Sequence, residues 1–256
     1  MGPESRGITG MWRKPQGIPL VIAHRGASAI CTENTTQAFE RAVQDRADGV
    51  ELDVLLCRSG DVVVFHDDDL RRMLDRPERV ADLSYRALRA LRLRRDTFIP
   101  TLAEAFEACG PDLLVNVELK SEGVFDRAVP PLVDRVAEVV TALGVGPRVL
   151  VSSFDPRAVW LWRQRCPAVP GALLCETEDV FATVKALSLP LLQASAVHPQ
   201  VGLCQGPLVE RCHQAGYLVN TWTVDDPVRL RQLAAIGVDG VICNDPAAAR
   251  AALEGR

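Results

Sequence analysis

The chain has 256 residues, of which 48% are hydrophobic and 24% charged, an ordinary globular balance with enough length to bury a full core. Its net charge of −4 excludes a global attraction to nucleic acid or to an anionic membrane. The eight cysteines (31, 57, 109, 166, 175, 204, 212 and 243) form no Cys-x-x-Cys pair, which argues against a zinc site or a secreted disulfide scaffold and for a reducing, cytoplasmic setting.

Residues 1–17 mix Gly, Pro, Arg and Trp without an apolar stretch and are read as a loose leader rather than a signal peptide. No run approaches ~18 apolar residues, so no transmembrane helix is expected. Leu20–His24 is a first strand, and Asn34 or Thr35 caps a helix that follows. Gly49–Cys57 is the second strand. Arg58-Ser59-Gly60-Asp61 then turns the chain into a returning arm, Val62–His66, so the segment reads as a β-hairpin. With the turn centred between Ser59 and Gly60, Asp53 faces His66 across the ladder.

Leu83–Leu93 and Thr101–Cys109 read as helices, the second opening with Thr101 and Glu104 at capping-box spacing. Further strands are expected at Leu113–Leu119, Val149–Ser153, Ala172–Cys175, Leu191–Val197, Tyr217–Thr223 and Gly240–Cys243. Helices are expected between and after them, near Phe125–Leu143, Pro156–Arg165, Val180–Leu187, Pro207–Ala215, Pro227–Ala235 and Pro246–Leu253. Leaving out the returning arm, eight apolar, nearly non-alternating strands are separated by helices, the pattern of a helix-covered parallel sheet. At this length the expectation is a single α/β domain over residues 18–256, a (β/α)8 TIM barrel with a hairpin extension after strand two. An open doubly wound sheet is the alternative.

Barrel chemistry sits where strands end and βα-loops begin. His24 and Arg25, Glu51 and Asp53, Glu118 and Lys120, Ser152 and Ser153, His198 and Trp222 all fall at such ends. Glu51 and Asp53, two apart, share a strand face, and Glu118 facing inward adds a third carboxylate. Crowded anions repel in a low dielectric, and a divalent cation is the usual remedy. All-oxygen ligation favours Mg²⁺, Ca²⁺ or Mn²⁺ over zinc. Arg25 and Lys120 are fixed charges suited to phosphate oxygens, and His24 and His66 are suited to proton transfer. Any one acid fits a salt-bridged rim residue equally well, and any one His a satisfied core residue. The convergence is what points to phosphate-ester cleavage.

Ala23-His24-Arg25-Gly26, Glu33-Asn34-Thr35, Glu51-Leu52-Asp53, His66-Asp67, Val117-Glu118-Leu119-Lys120, Ser153-Phe154, Trp222-Thr223-Val224 and Gly237–Gly240 occur in that order. Over residues 18–250 the chain resembles the glycerophosphodiester phosphodiesterases. The resemblance implies hydrolysis of small glycerophosphodiesters to glycerol 3-phosphate and an alcohol, with one divalent cation on Glu51, Asp53 and Glu118. It implies His24 as proton acceptor, His66 as proton donor, and Arg25 and Lys120 on the phosphate. It also places Glu33 where the family holds the metal shell or the first histidine, and Trp222 in the wall of the substrate pocket.

The chain departs from the family pattern at Thr32, where Pro is usual, at Cys243-Asn244-Asp245-Pro246, and after Asp67, where arginines replace a Thr-rich run. Nine arginines lie at 71, 72, 76, 79, 86, 89, 92, 94 and 95. They read either as a solvated face or as a positive collar for anionic diesters or a lipid surface. Alternatives to the leading function are a lysophospholipase D-type hydrolase of lysolipids, a non-catalytic binding protein on the same barrel, and a Schiff-base aldolase using Lys120. The sequence leaves the leaving alcohol and the oligomeric state open.

Overall fold

Each Val-, Leu- and Ile-rich run becomes a strand. The computed structural model of the protein describes residues 10–12, 18–121, 126–176 and 189–255. The strands are β1 (Leu20–His24), β2 (Gly49–Leu56), β3 (Val62–Val64), β4 (Leu114–Leu119), β5 (Val149–Ser153), β6 (Gly171–Cys175), β7 (Ala196–Pro199), β8 (Leu218–Thr221) and β9 (Gly240–Cys243). Their order is β1-β9-β8-β7-β6-β5-β4-β2-β3, and β1 also pairs with β2. Eight parallel strands therefore close on themselves, and the open-sheet alternative falls away. The short antiparallel β3 takes the edge of β2 that β1 vacates: β1 pairs with Gly49 to Glu51 and β3 with Val54 to Leu56.

Helices cover the outside: α1 (Thr36–Gln44), α2 (Leu102–Ala108), α3 (Val129–Leu143), α4 (Pro156–Arg165), α5 (Gly206–Gln214), α6 (Pro227–Ala235) and α7 (Pro246–Glu254). Thr35, not Asn34, caps α1, its side chain accepting from Ala38 N. The capping box of α2 forms, with Thr101 and Glu104 satisfying each other's backbone N–H groups. Four of the later helices have Pro in their first turn behind an Asp or Gln cap, where the missing N–H costs nothing.

The hairpin register differs from expectation by one residue. Val54 pairs with Val64 and Leu56 with Val62, and Phe65 N donates to Asp53 O at 3.0 Å. Asp53 therefore lies opposite Phe65, and His66 falls just past the arm. The cause is Gly60, whose φ of 83° lets the loop take three residues, Arg58 to Gly60, instead of two. Phe65 then buries beside Val63, Leu70, Leu88 and Ile99.

Two other segments differ. Leu191 and Leu192, expected to open the strand Leu191–Val197, lie in the helical turn Leu189–Leu192, and the strand begins at Ala196. The helix expected over Leu83–Leu93 is confined to Tyr85–Ala90. The helix expected near Val180–Leu187 lies outside the described residues. Within the stretch read as a loose leader, Trp12 is fully buried. It packs with Leu20, Ile22, Leu114, Leu150 and Leu218, the inward layer at the N-terminal end of the strands. The remaining apolar core fills the space between barrel and helices. No helix among the described residues is long and apolar enough to cross a membrane, and the eight cysteines are free thiols.

Candidate active site

Strand register assembles the carboxylates. Asp53 on β2 is the register partner of Glu118 on β4, and His24 on β1 is the partner of Glu51 on β2. Period-two alternation turns Glu51, Asp53 and Glu118 inward. One oxygen from each lies within 4.8 Å of the others, and all three residues are buried.

Such a cluster is electrostatically costly. Burial, then the charges of Asp53 and Glu118, push the Glu51 carboxyl well above the usual range, and burial with Asp53 pushes Glu118 up to about 7. Glu51 Oε1 is buried without a hydrogen-bond partner, an expensive state for an ionised oxygen. Three convergent oxygens, one of them unsatisfied, fit a hard divalent cation.

Three groups of fixed orientation surround the acids. Lys120 Nζ lies 2.9 Å from Glu118 Oε1 and 3.4 Å from Asp53 Oδ1. Burial lowers the Lys120 pKa, but Glu118 and Asp53 outweigh it and the amine stays charged. Arg25 Nε is 3.3 Å from Asp53 Oδ2, and its backbone N–H donates to Glu51 Oε2 at 3.1 Å. Asn34 Nδ2 donates to Asp53 Oδ2 at 2.8 Å. Asn34 achieves this with a φ of 56°, a left-handed conformation that Asn tolerates better than most residues.

The two histidines are oriented from behind. His24 Nδ1 lies 2.8 Å from Asn244 Oδ1; an amide oxygen only accepts, so the proton sits on Nδ1 and Nε2 is left to accept one. Asn244 Nδ2 donates in turn to Asp225 Oδ2 at 2.6 Å, which fixes which end of the amide faces His24. Burial, followed by the charge of Arg25, lowers the His24 pKa. His66 Nδ1 lies 2.6 Å from Asp67 Oδ1, and Arg72 Nε donates to Asp67 Oδ2 at 2.6 Å. Burial alone would raise the Asp67 pKa, but the bonds from His66 and Arg72 outweigh it.

His24, Arg25, Glu51, His66, Glu118 and Lys120 line one cavity of about 70 Å³ at the C-terminal mouth of the barrel. Asp53 sits beneath them at 1% exposure. Trp222 and Phe154 close the far side, their rings 5.5 Å apart and edge to face.

Glu33 is outside both the carboxylate cluster and the His24 contact. It accepts from Arg25 Nη1 at 2.9 Å and from Arg72 Nη2 at 2.6 Å. Burial raises its pKa, the two guanidiniums outweigh that, and the carboxyl is held at about 2. Ser153 Oγ donates to Leu119 O at 2.8 Å and Ser152 is buried below the site, so neither serine is in the cavity wall. His198 is also fully buried, inside the barrel. Sequence reasoning missed Arg72, Asn244 and the role of Asn34. Only Asn34 left a signal, a left-handed-tolerant residue between a site Glu and a helix cap.

The glycerophosphoryl diester phosphodiesterase family model matches residues 24–248. A glycerophosphodiester phosphodiesterase of Caldanaerobacter subterraneus subsp. tengcongensis is 34% identical over 235 residues, covering 89% of this chain and 94% of that one. Among solved structures, an Oleispira antarctica phosphodiesterase in complex with the product sn-glycerol-3-phosphate is 26% identical with a TM-score of 0.81, covering 93% of this chain and 97% of that one. A glycerophosphodiester phosphodiesterase from Thermotoga maritima is 28% identical with a TM-score of 0.76, covering 90% of this chain and 96% of that one. Fold, site and sequence agree: the chain belongs to the glycerophosphoryl diester phosphodiesterase family.

Proposed function

We propose that the protein hydrolyses small glycerophosphodiesters to glycerol 3-phosphate and an alcohol, with Glu51, Asp53 and Glu118 holding one divalent cation, Mg²⁺, Ca²⁺ or Mn²⁺. The observation that carries the reading is three buried carboxylates within 4.8 Å of one another, with Arg25, Lys120, His24 and His66 around the same cavity. When bound, the cation supplies charge that offsets the growing negative charge on the phosphoryl oxygens.

The chain's own groups divide the remaining work. Arg25 and Lys120 hold the phosphate and keep it aligned between the histidines. His24, with its proton on Nδ1 toward Asn244, accepts at Nε2 the proton of an attacking glycerol hydroxyl. That oxygen bonds to phosphorus as the bond to the leaving alcohol breaks, and His66 gives the leaving oxygen its proton. Asp67, 2.6 Å from His66 Nδ1, fixes the ring so that Nε2 faces the cleft. Water then opens the cyclic phosphate with the two proton transfers reversed. The low pKa of His24 suits a base that must be neutral before it acts, and the completeness of the set argues against a retired, binding-only barrel.

The test is a panel of glycerophosphodiesters and lysolipids, assayed for glycerol 3-phosphate and free alcohol with each metal and with chelator. Chelator-sensitive release of glycerol 3-phosphate is expected, and H66A is expected to lower turnover at least 100-fold with metal affinity nearly unchanged. Release of choline from lysophosphatidylcholine at a higher rate than from glycerophosphocholine would replace the soluble substrate with a lysolipid. Equal loss of turnover and metal binding in H66A would remove His66 from proton transfer.

A further inference from the structure

The arginine-rich segment is not the continuous positive collar that its composition suggests. Arg71 pairs with Asp69, Arg76 with Glu78, Arg89 with Glu104 and Arg92 with Asp96. Arg72 is held by Glu33 and Asp67. Most of these carboxylates lie just outside residues 71–95 or far along the chain, which is why a local count missed them. Arg94 and Arg95 form no ion pair with a carboxylate among the described residues.

Both of these arginines line a second cavity, of about 320 Å³, together with Arg72, Met73 and residues 28–33 of the loop after β1. Its position is fixed from two sides. Thr32 Oγ1 donates to Arg94 O at 3.1 Å, and Leu93 N donates to Thr97 O at 2.8 Å, closing the loop that carries both arginines. Three guanidiniums face one carboxylate there, and that carboxylate, Glu33, is already occupied by Arg25 and Arg72. The field in the cavity is therefore positive although the chain as a whole is negative.

The chain of bonds Glu33–Arg72–Asp67–His66 links the lining of this cavity to the lining of the catalytic one. The catalytic cavity, at about 70 Å³, is smaller than the second, at about 320 Å³. Trp222 and Phe154 close one side of the catalytic cavity with aromatic surface, and His66 is tied through Asp67 to Arg72 in the lining of the second.

We propose that this second cavity is a subsite for an anionic group, a phosphate or carboxylate, carried by the leaving alcohol, with Arg94 and Arg95 as its selective contacts. The inference rests on the hydrolytic reading, because it places the leaving alcohol on the His66 side. Guanidinium forks match the oxygens of either anion. Both arginines are exposed, so the selectivity is sensitive to salt.

Matched substrate pairs test it. Glycerophosphoinositol and its 4-phosphate differ by one phosphate; glycerophosphoethanolamine and glycerophosphoserine differ by one carboxylate. The expected result is a kcat/KM at least ten-fold higher for the phosphorylated member at 20 mM salt, roughly, shrinking several-fold at about 300 mM. In R94Q/R95Q the preference should fall to within two-fold, with glycerophosphoinositol turnover unchanged. The carboxylate pair shows which anion is favoured. No preference in the wild type, or one that survives R94Q/R95Q, overturns the subsite.

Calorimetric titration of inositol 4-phosphate into both proteins reads the same site without turnover. Binding that vanishes in R94Q/R95Q, with no diester hydrolysed, would uphold the subsite and sink the hydrolytic reading. Diester hydrolysis without binding or preference would do the reverse.

Discussion

Asp53 and Glu118 are neighbours in register across β2 and β4, and a single amine, Lys120 Nζ, lies within 3.4 Å of both. With Arg25 Nε 3.3 Å from Asp53 Oδ2, two fixed cations stand against three carboxylates, which leaves the cluster under-compensated. A cation at saturation should therefore stabilise the fold, by about 2.7 kcal/mol at a hundred times its Kd. For a chain of this size that is a rise in Tm of roughly 5–10 °C. E118Q should lose that rise while melting, without metal, no lower than the wild type, since one repelling charge is gone. Thermal melts with Mg²⁺, Ca²⁺, Mn²⁺ and chelator check this, and a metal-free E118Q far less stable than the wild type would show the acids to be structural.

Asn34 separates backbone strain from side-chain support. It combines a left-handed φ of 56° with a 2.8 Å bond to Asp53. N34A removes the bond and places Ala in a strained conformation, at a cost of about 1–3 kcal/mol. N34G relieves the strain alone. N34G should thus recover most of the melting temperature while keeping a metal affinity weakened by about ten-fold or more. Equal recovery of both in N34G would mean that the amide does not orient Asp53.

The barrel was legible because its strands are apolar on both faces and punctuated by helices, so period and count agreed. The carboxylate cluster was legible for the same reason: Glu51 and Asp53 are two apart on one strand, and Glu118 sits late on the next parallel strand. The hairpin register was not, since choosing between a two-residue and a three-residue loop depends on the positive φ of Gly60. Contacts between distant segments were invisible as well. Asn244 reaches His24 only because β9 closes beside β1, and Arg72 reaches Glu33 only because two loops meet at the mouth.

Gly26 makes the first of those loops possible. Its φ is 81°, and a Cβ there would lie 2.6 Å from Ala38 Cβ and 2.7 Å from the Ala38 backbone. G26A therefore meets both a steric clash with α1 and a strained backbone. Because Gly26 follows Arg25, whose N–H holds Glu51, the displacement reaches the site. The expected outcome is a loss of roughly 2–4 kcal/mol in chemical denaturation together with reduced metal affinity. Unchanged metal affinity at reduced stability would separate the loop from the carboxylates.

His198 provides a pH test away from the carboxylates. It is fully buried in the barrel, Asn220 Nδ2 stands 3.0 Å from its Nε2, and Nδ1 has no partner. An amide N–H donates, so the ring is neutral, and burial pushes its pKa down from 6.5 to about 3. Between those values the unfolded chain binds the proton and the folded one does not, so stability falls as pH drops below 6.5. At pH 4.5 the loss is roughly 3 kcal/mol, and it fades out above pH 6.5. H198Q keeps an acceptor for Asn220 and cannot titrate. Its denaturation midpoint should therefore decline less than that of the wild type between pH 7 and 4.5, and parallel profiles for the two proteins would show that His198 takes up its proton without unfolding the barrel.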